Sequence, residues 1–93
     1  MDNLTHQAEH LYNKVKLYGK TNPTPQNMQL VDMSRKLYDD FRGIHNAREL
    51  ERQATIIKEH LYHGMSVGCM QTAHCTELKN GYEQLRLGLR KYE

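Results

Sequence analysis

The sequence has no tryptophan, one phenylalanine, two prolines and two cysteines, and no apolar run long enough to cross a bilayer. Each shortage excludes something. Two cysteines cannot build the disulfide framework of a small secreted domain. Cys69 and Cys75 fall on one predicted helix and point to different faces, so they cannot bridge each other. No signal peptide or targeting motif is visible, so the expected setting is the reducing cytoplasm, with no membrane partner. Charge of one sign is lacking too. Thirteen Lys and Arg face eleven Asp and Glu, a net +2, and the basic residues are spread along the chain. The dense basic block of a duplex-binding arm is absent, so duplex nucleic acid is not an expected partner. Strict apolar alternation is missing as well, which removes strands and any Gly-rich phosphate loop borne on one. Ninety-three residues make one small domain with a marginal core.

What is present is helical spacing, and the expected fold is all-α. From Asn46 to Arg90, apolar or small residues recur in steps of three or four, through Leu50, Ala54, Ile57, Leu61, Met65, Gly68, Thr72, Cys75, Leu78, Tyr82, Leu85 and Leu89. Asn46 with Glu49 three residues later reads as a capped start. With no proline inside, this stretch predicts one helix over 47–90, about 45 residues and roughly 65 Å long. A first amphipathic helix is predicted over 2–18, with Leu4, Ala8, Leu11, Val15 and Tyr18 on one face. Residues 19–24 read as a linker, because prolines disfavour helix in the residues before them. Thr24 then caps a second helix over 25–42 that begins on Pro25. Gly43 is a candidate left-handed terminator, and the short turn over 43–46 makes the second and third helices an antiparallel hairpin.

Lengths set a constraint on this reading. The first two helices together fall short of the third, so part of its apolar seam is left exposed. Exposed seam in so small a chain predicts an obligate oligomer. Gly64, Gly68, Gly81 and Gly88 each cost about 1 kcal/mol against alanine inside a helix. They mark close packing or a bend, or else space cleared for a ligand or a crossing helix, and Gly64 with Gly68 is where a kink would fall.

Catalytic chemistry finds little footing. His6 with His10, and His60 with His63, sit at helical spacing, but a zinc site needs three or four ligands and no motif supplies them. Neither cysteine is linked to a base, and His74 and Cys75 point about 100° apart on a helix. Asp39 and Asp40 read as solvated surface. No enzyme, cofactor or metal site is expected. Two short strings recur, Glu-His-Leu-Tyr at 9–12 and 59–62 and Lys-Leu-Tyr at 16–18 and 36–38, as helical composition alone produces.

Thr76-Glu77-Leu78-Lys79-Asn80-Gly81-Tyr82, followed by Leu85, resembles a segment of small phage proteins that block cyclic-oligonucleotide signalling in bacterial immunity. These are the anti-CBASS sponges, whose helical hairpin is shared with some anti-Thoeris proteins. The resemblance spans about residues 17–90, with its specific core in the seven quoted residues. It implies a phage-encoded inhibitor that binds cyclic dinucleotides, such as 3′,3′-cyclic GMP–AMP, and holds them uncleaved. It also implies a hexamer built from dimers, with pockets between protomers. The family's base-stacking tyrosine is matched by Tyr18, or by Lys20 in an ungapped alignment. The family's phosphate-binding lysine falls on Arg35, with Lys36 adjacent. The family arginine associated with cyclic trinucleotides aligns with Cys69, which puts that ligand in doubt. Thr76 either bonds the ligand or bonds its own helix backbone.

Residue chemistry fits such a role. A cyclic dinucleotide has two negative charges and two aromatic faces, so its pocket needs cations and stacking rings. Tyr12 and Tyr18 lie close to the linker with Lys16 and Lys20, and stacking is worth about 1–3 kcal/mol per base. Seam packing is the alternative use of these tyrosines. The competing function is a helical protein-interaction module that inhibits a host protein, and a third is a salt-sensitive nucleic-acid binder.

Overall fold

The computed structural model describes residues 2–43, 46–67 and 71–93, with residues 64–67 as backbone only. Among the described residues there are four α-helices and no strand: α1 Asp2–Thr21, α2 Pro25–Gly43, α3 Ala47–Val67 and α4 Thr72–Leu89, with a final 3₁₀ turn over Arg90–Tyr92. No described helix is long and apolar enough to cross a membrane.

The main departure from expectation is in the C-terminal half. In place of one helix over 47–90, α3 ends at Val67 and α4 begins at Thr72, after Gln71 in an extended conformation (φ −59°, ψ 138°). The two helices lie side by side and antiparallel. Lys58 Nζ is 3.1 Å from Glu83 Oε1, and Arg90 Nε is 2.9 Å from Glu51 Oε2. Residues 68–70, which include Gly68 of the expected kink and Cys69, lie outside the described residues.

Folding back closes the core within one chain. Each helix contributes one stripe at three- and four-residue steps. These are Leu4, Ala8, Leu11 and Val15 from α1; Leu30, Leu37 and Phe41 from α2; Ala47, Leu50, Ala54, Ile57 and Leu61 from α3; and Cys75, Leu78, Tyr82, Leu85 and Leu89 from α4. Burying the five α4 side chains is worth roughly 1.5–3 kcal/mol for each large apolar one, which an extended helix would forgo. Among the described residues, the seam on which the expected oligomer rests is therefore covered by α4 from within the chain. The helices pack α1 against α2, α2 against α3, α3 against α4 and α4 against α1, in a bundle of 34 × 19 × 17 Å. Across its centre the buried Tyr82 hydroxyl donates to Ser34 Oγ at 2.8 Å, tying α4 to α2. Burial pushes the Tyr82 phenol pKa well up, so it remains a donor.

Glycines set how closely α1 approaches. A Cβ built on Gly81 would lie 2.4 Å from Leu11 Cδ2, and one on Gly88 would lie 2.7 Å from Leu4 Cδ2. The seven-residue spacing of both pairs shows α1 and α4 running antiparallel in fixed register. Gly19 has a similar use, with its Cβ position 3.2 Å from Val31 on α2. It lies buried inside α1, which continues to Thr21, three residues past the expected end at Tyr18. The terminator is Pro23, which restricts only the residue before it.

Caps fall where the sequence puts them. The Asn27 N–H donates to Thr24 Oγ1 at 3.1 Å at the start of α2, and the Glu49 N–H donates to Asn46 Oδ1 at 3.2 Å at the start of α3. Gly43 closes α2 without a positive φ, so it is not the left-handed residue anticipated. Residues 44–45 of the expected turn lie outside the described residues.

Candidate functional site

Tyr18, expected to stack on a base, sits in the groove between α1 and α4. Tyr18 and His74 stack face to face, ring centroids 3.8 Å apart and planes 4° from parallel. The Tyr18 hydroxyl donates to Glu77 Oε2 at 3.1 Å, and Lys14 pairs with the same carboxylate through Oε1. Partial burial, then the Glu77 carboxylate, hold the Tyr18 phenol pKa above its ordinary value. Lys14 and then Tyr18 hold the Glu77 carboxyl below the usual carboxylate range. The ring pair opens onto a cleft of about 220 Å³ lined by Tyr18, Thr21, Asn22, Gln71 and His74. Its wall includes the first turn of α4, where Gln71 makes no side-chain cap. Unsatisfied N–H groups at such a helix start favour an anion.

The remaining predicted residues are dispersed over the bundle. Lys20 and Thr76 are exposed two residues beyond Tyr18 and His74, about 200° round their helices, and neither lines the cleft. Tyr12 belongs to the α1/α2 groove, where its ring centroid is 6.1 Å from that of Tyr38. Arg35 is exposed on α2 and pairs with Asp32 at 3.1 Å. Lys36 pairs with Asp40 at 2.8 Å on the side of α2 that meets α3. Asp40 is not the solvated carboxylate expected, for it also accepts from the Gln53 amide at 2.7 Å, across to α3. The Lys36 and Gln53 hydrogen bonds hold its pKa down. Within one chain, then, the expected cations of α2 and the expected stacking ring of α1 do not meet.

The sevenfold string on α4 has a packing use at several positions. Leu78 and Tyr82 are in the core, Gly81 receives Leu11, Glu77 binds Lys14 and Tyr18, and Lys79 Nζ lies 5.2 Å from the Tyr62 ring centroid. Sequence reasoning missed His74 as the partner of Tyr18 and missed Tyr38 as the partner of Tyr12. Both contacts cross between helices, and no local pattern announces them. The contacts of Lys16 over Tyr12 (4.5 Å) and Arg42 over Tyr38 (5.6 Å) are different. Each pair is four residues apart on its own helix, a spacing legible in the sequence.

Among the described residues the histidine pairs gather no further ligands, and no cluster of three or more His, Cys, Asp or Glu is placed to hold a metal. Comparison with known proteins returns nothing: no family model, no curated protein and no solved structure matches the chain.

Proposed function

We propose that the protein is a phage-encoded inhibitor of bacterial immunity that binds cyclic dinucleotide signals and withholds them uncleaved. The observation that carries this reading is the Tyr18–His74 stack opening onto the cleft at the start of α4. A nucleobase can extend that stack, and the amide and hydroxyl groups of Asn22, Gln71 and Thr21 can meet its edge. The start of α4, where Gln71 makes no side-chain cap, offers positive charge to a phosphate.

Pockets between protomers would resolve the dispersion of the predicted cations. Arg35 and Lys36 would then reach the ligand from a neighbouring chain of a homo-oligomer, the hexamer built from dimers that the resemblance implies. Their present partners are no obstacle, because exposed ion pairs of this kind are worth about 0–1 kcal/mol and a phosphate can displace them. Since Cys69 stands at the family's arginine position, dinucleotides are the proposed ligands.

Calorimetric titration with 3′,3′-cyclic GMP–AMP tests this assignment. Tyr18→Ala and His74→Ala each lose one stacking face, an expected drop of roughly 5- to 150-fold in affinity. Wild-type affinity in both variants, with helicity retained, would remove the cleft from the site.

One observation favours a second reading, a protein-interaction module that occupies a host protein. Leu87 and Tyr92 are 42% and 54% exposed beside Gly88 and Leu4, where the end of α4 meets the start of α1. That reading expects no heat with any cyclic nucleotide and a stable complex with one protein, lost in Leu87→Glu.

A further inference from the structure

The outer face of the α1/α2 pair carries an arrangement that the cleft does not use. Four side chains form a column. Lys16 Nζ is 4.5 Å from the Tyr12 ring centroid, Tyr12 lies 6.1 Å from Tyr38 with planes 26° apart, and Arg42 Cζ is 5.6 Å from the Tyr38 centroid. Both rings are half-buried. Neither Lys16 nor Arg42 belongs to an ion pair among the described residues. The register that sets Tyr12 beside Tyr38 and Gly19 beside Val31 also places Lys20 on this face. Its carboxylates are Glu9, which accepts from the Tyr38 hydroxyl, Asp32, which is paired with Arg35, and the exposed Asp39.

We propose that this face binds single-stranded nucleic acid. The two cations rest on the tyrosine rings in half-exposed contacts that add only about two- to fivefold to an equilibrium. A base stacked on the same ring is worth roughly 5- to 150-fold. Exchange therefore favours the base, and the displaced Lys16 or Arg42 moves to the phosphate beside it. Both groups are then better satisfied than before. A duplex is the poorer ligand, because its base faces are already stacked on one another. With two cations released to two phosphates, the slope of log affinity against log salt is about −1.4 for a single strand.

The test is fluorescence anisotropy with a short labelled oligothymidylate at about 50 and about 200 mM salt, against a duplex of matched length. The expected result is binding at low salt with a slope near −1.4 and weaker binding to the duplex. Lys16→Gln/Arg42→Gln, which changes only surface groups, should flatten the slope by about 1.4 with helicity unchanged. Tyr12→Ala should weaken binding roughly 5- to 150-fold. No binding at the lower salt, or an unaltered slope in the double variant, overturns the proposal. So does displacement of the oligonucleotide by 3′,3′-cyclic GMP–AMP, which would make the face part of the dinucleotide site. Absence of dinucleotide binding defeats the sequestration reading alone and leaves this proposal to its own titration.

Discussion

Gly81→Ala distinguishes the folded-back bundle from a single long helix. In an unpacked helix interior, alanine at this position stabilises by about 1 kcal/mol. In the structure the new methyl would meet Leu11 Cδ2 at 2.4 Å, with Cγ and Cδ1 at 3.4 and 3.5 Å. Ordinary carbon contacts lie near 3.5–4.0 Å, so the Leu11 methyl must retreat by about 1 Å. Leu11 is only 7% exposed, and overpacking of this kind costs about 1–3 kcal/mol. The sum is a net loss of about 1 kcal/mol, a Tm drop of roughly 4–8 °C for a domain of this size. Thermal unfolding by circular dichroism reads it directly. A cycle with Leu11→Ala adds a second check. That change alone costs about 2–5 kcal/mol by leaving a cavity, and less when the Gly81→Ala methyl partly fills it. The two changes should therefore couple by about 0.5–3 kcal/mol. A rise in Tm for Gly81→Ala, or coupling near zero, would refute the packing of α1 on α4.

Other consequences are equally direct. Spin labels at Glu59 and Gln84, both exposed, would be about 38 Å apart on a continuous helix, whereas antiparallel α3 and α4 bring them within roughly 20 Å in a dipolar measurement. Tyr82→Phe strands the buried Ser34 hydroxyl and should cost about 1–2 kcal/mol in urea unfolding, most of it recovered by adding Ser34→Ala. Arg86, then Lys58, hold the Glu83 pKa at about 2, below its ordinary value of 4.5. A depressed folded pKa means that the unfolded chain binds the proton more readily. The contribution is therefore whole above pH 4.5 and lost as pH falls toward about 2. Glu83→Gln should flatten that part of the acid stability profile, and an unchanged acid limb would remove Glu83 from it.

The helices were legible because each buries one stripe, and three- or four-residue steps record that burial whatever covers the stripe. The same fact hid the reversal. Met65, Gly68, Thr72 and Cys75 carry the step pattern straight across the break, so periodicity alone could not tell one helix from two. Gly64 and Gly68 are the available signal, and such a helix-weakening pair fits a kink as well as a break between two helices. The expected oligomer rests on the length of a single helix, and α4 covers the described part of that seam from within the chain. Thr24 and Asn46 were readable as caps because their bonds are local. The Tyr18–His74 stack was not, because it joins residues 56 apart in sequence through the α1/α4 register.

The measurement that bears most directly on sequestration is the fate of the nucleotide. 3′,3′-Cyclic GMP–AMP is mixed with excess protein, the free fraction is separated by ultrafiltration, and the retained fraction is released by heat and chromatographed. Sequestration predicts depletion of the free nucleotide and its full recovery, intact, after denaturation. No depletion, or recovery as a linear product, would contradict it.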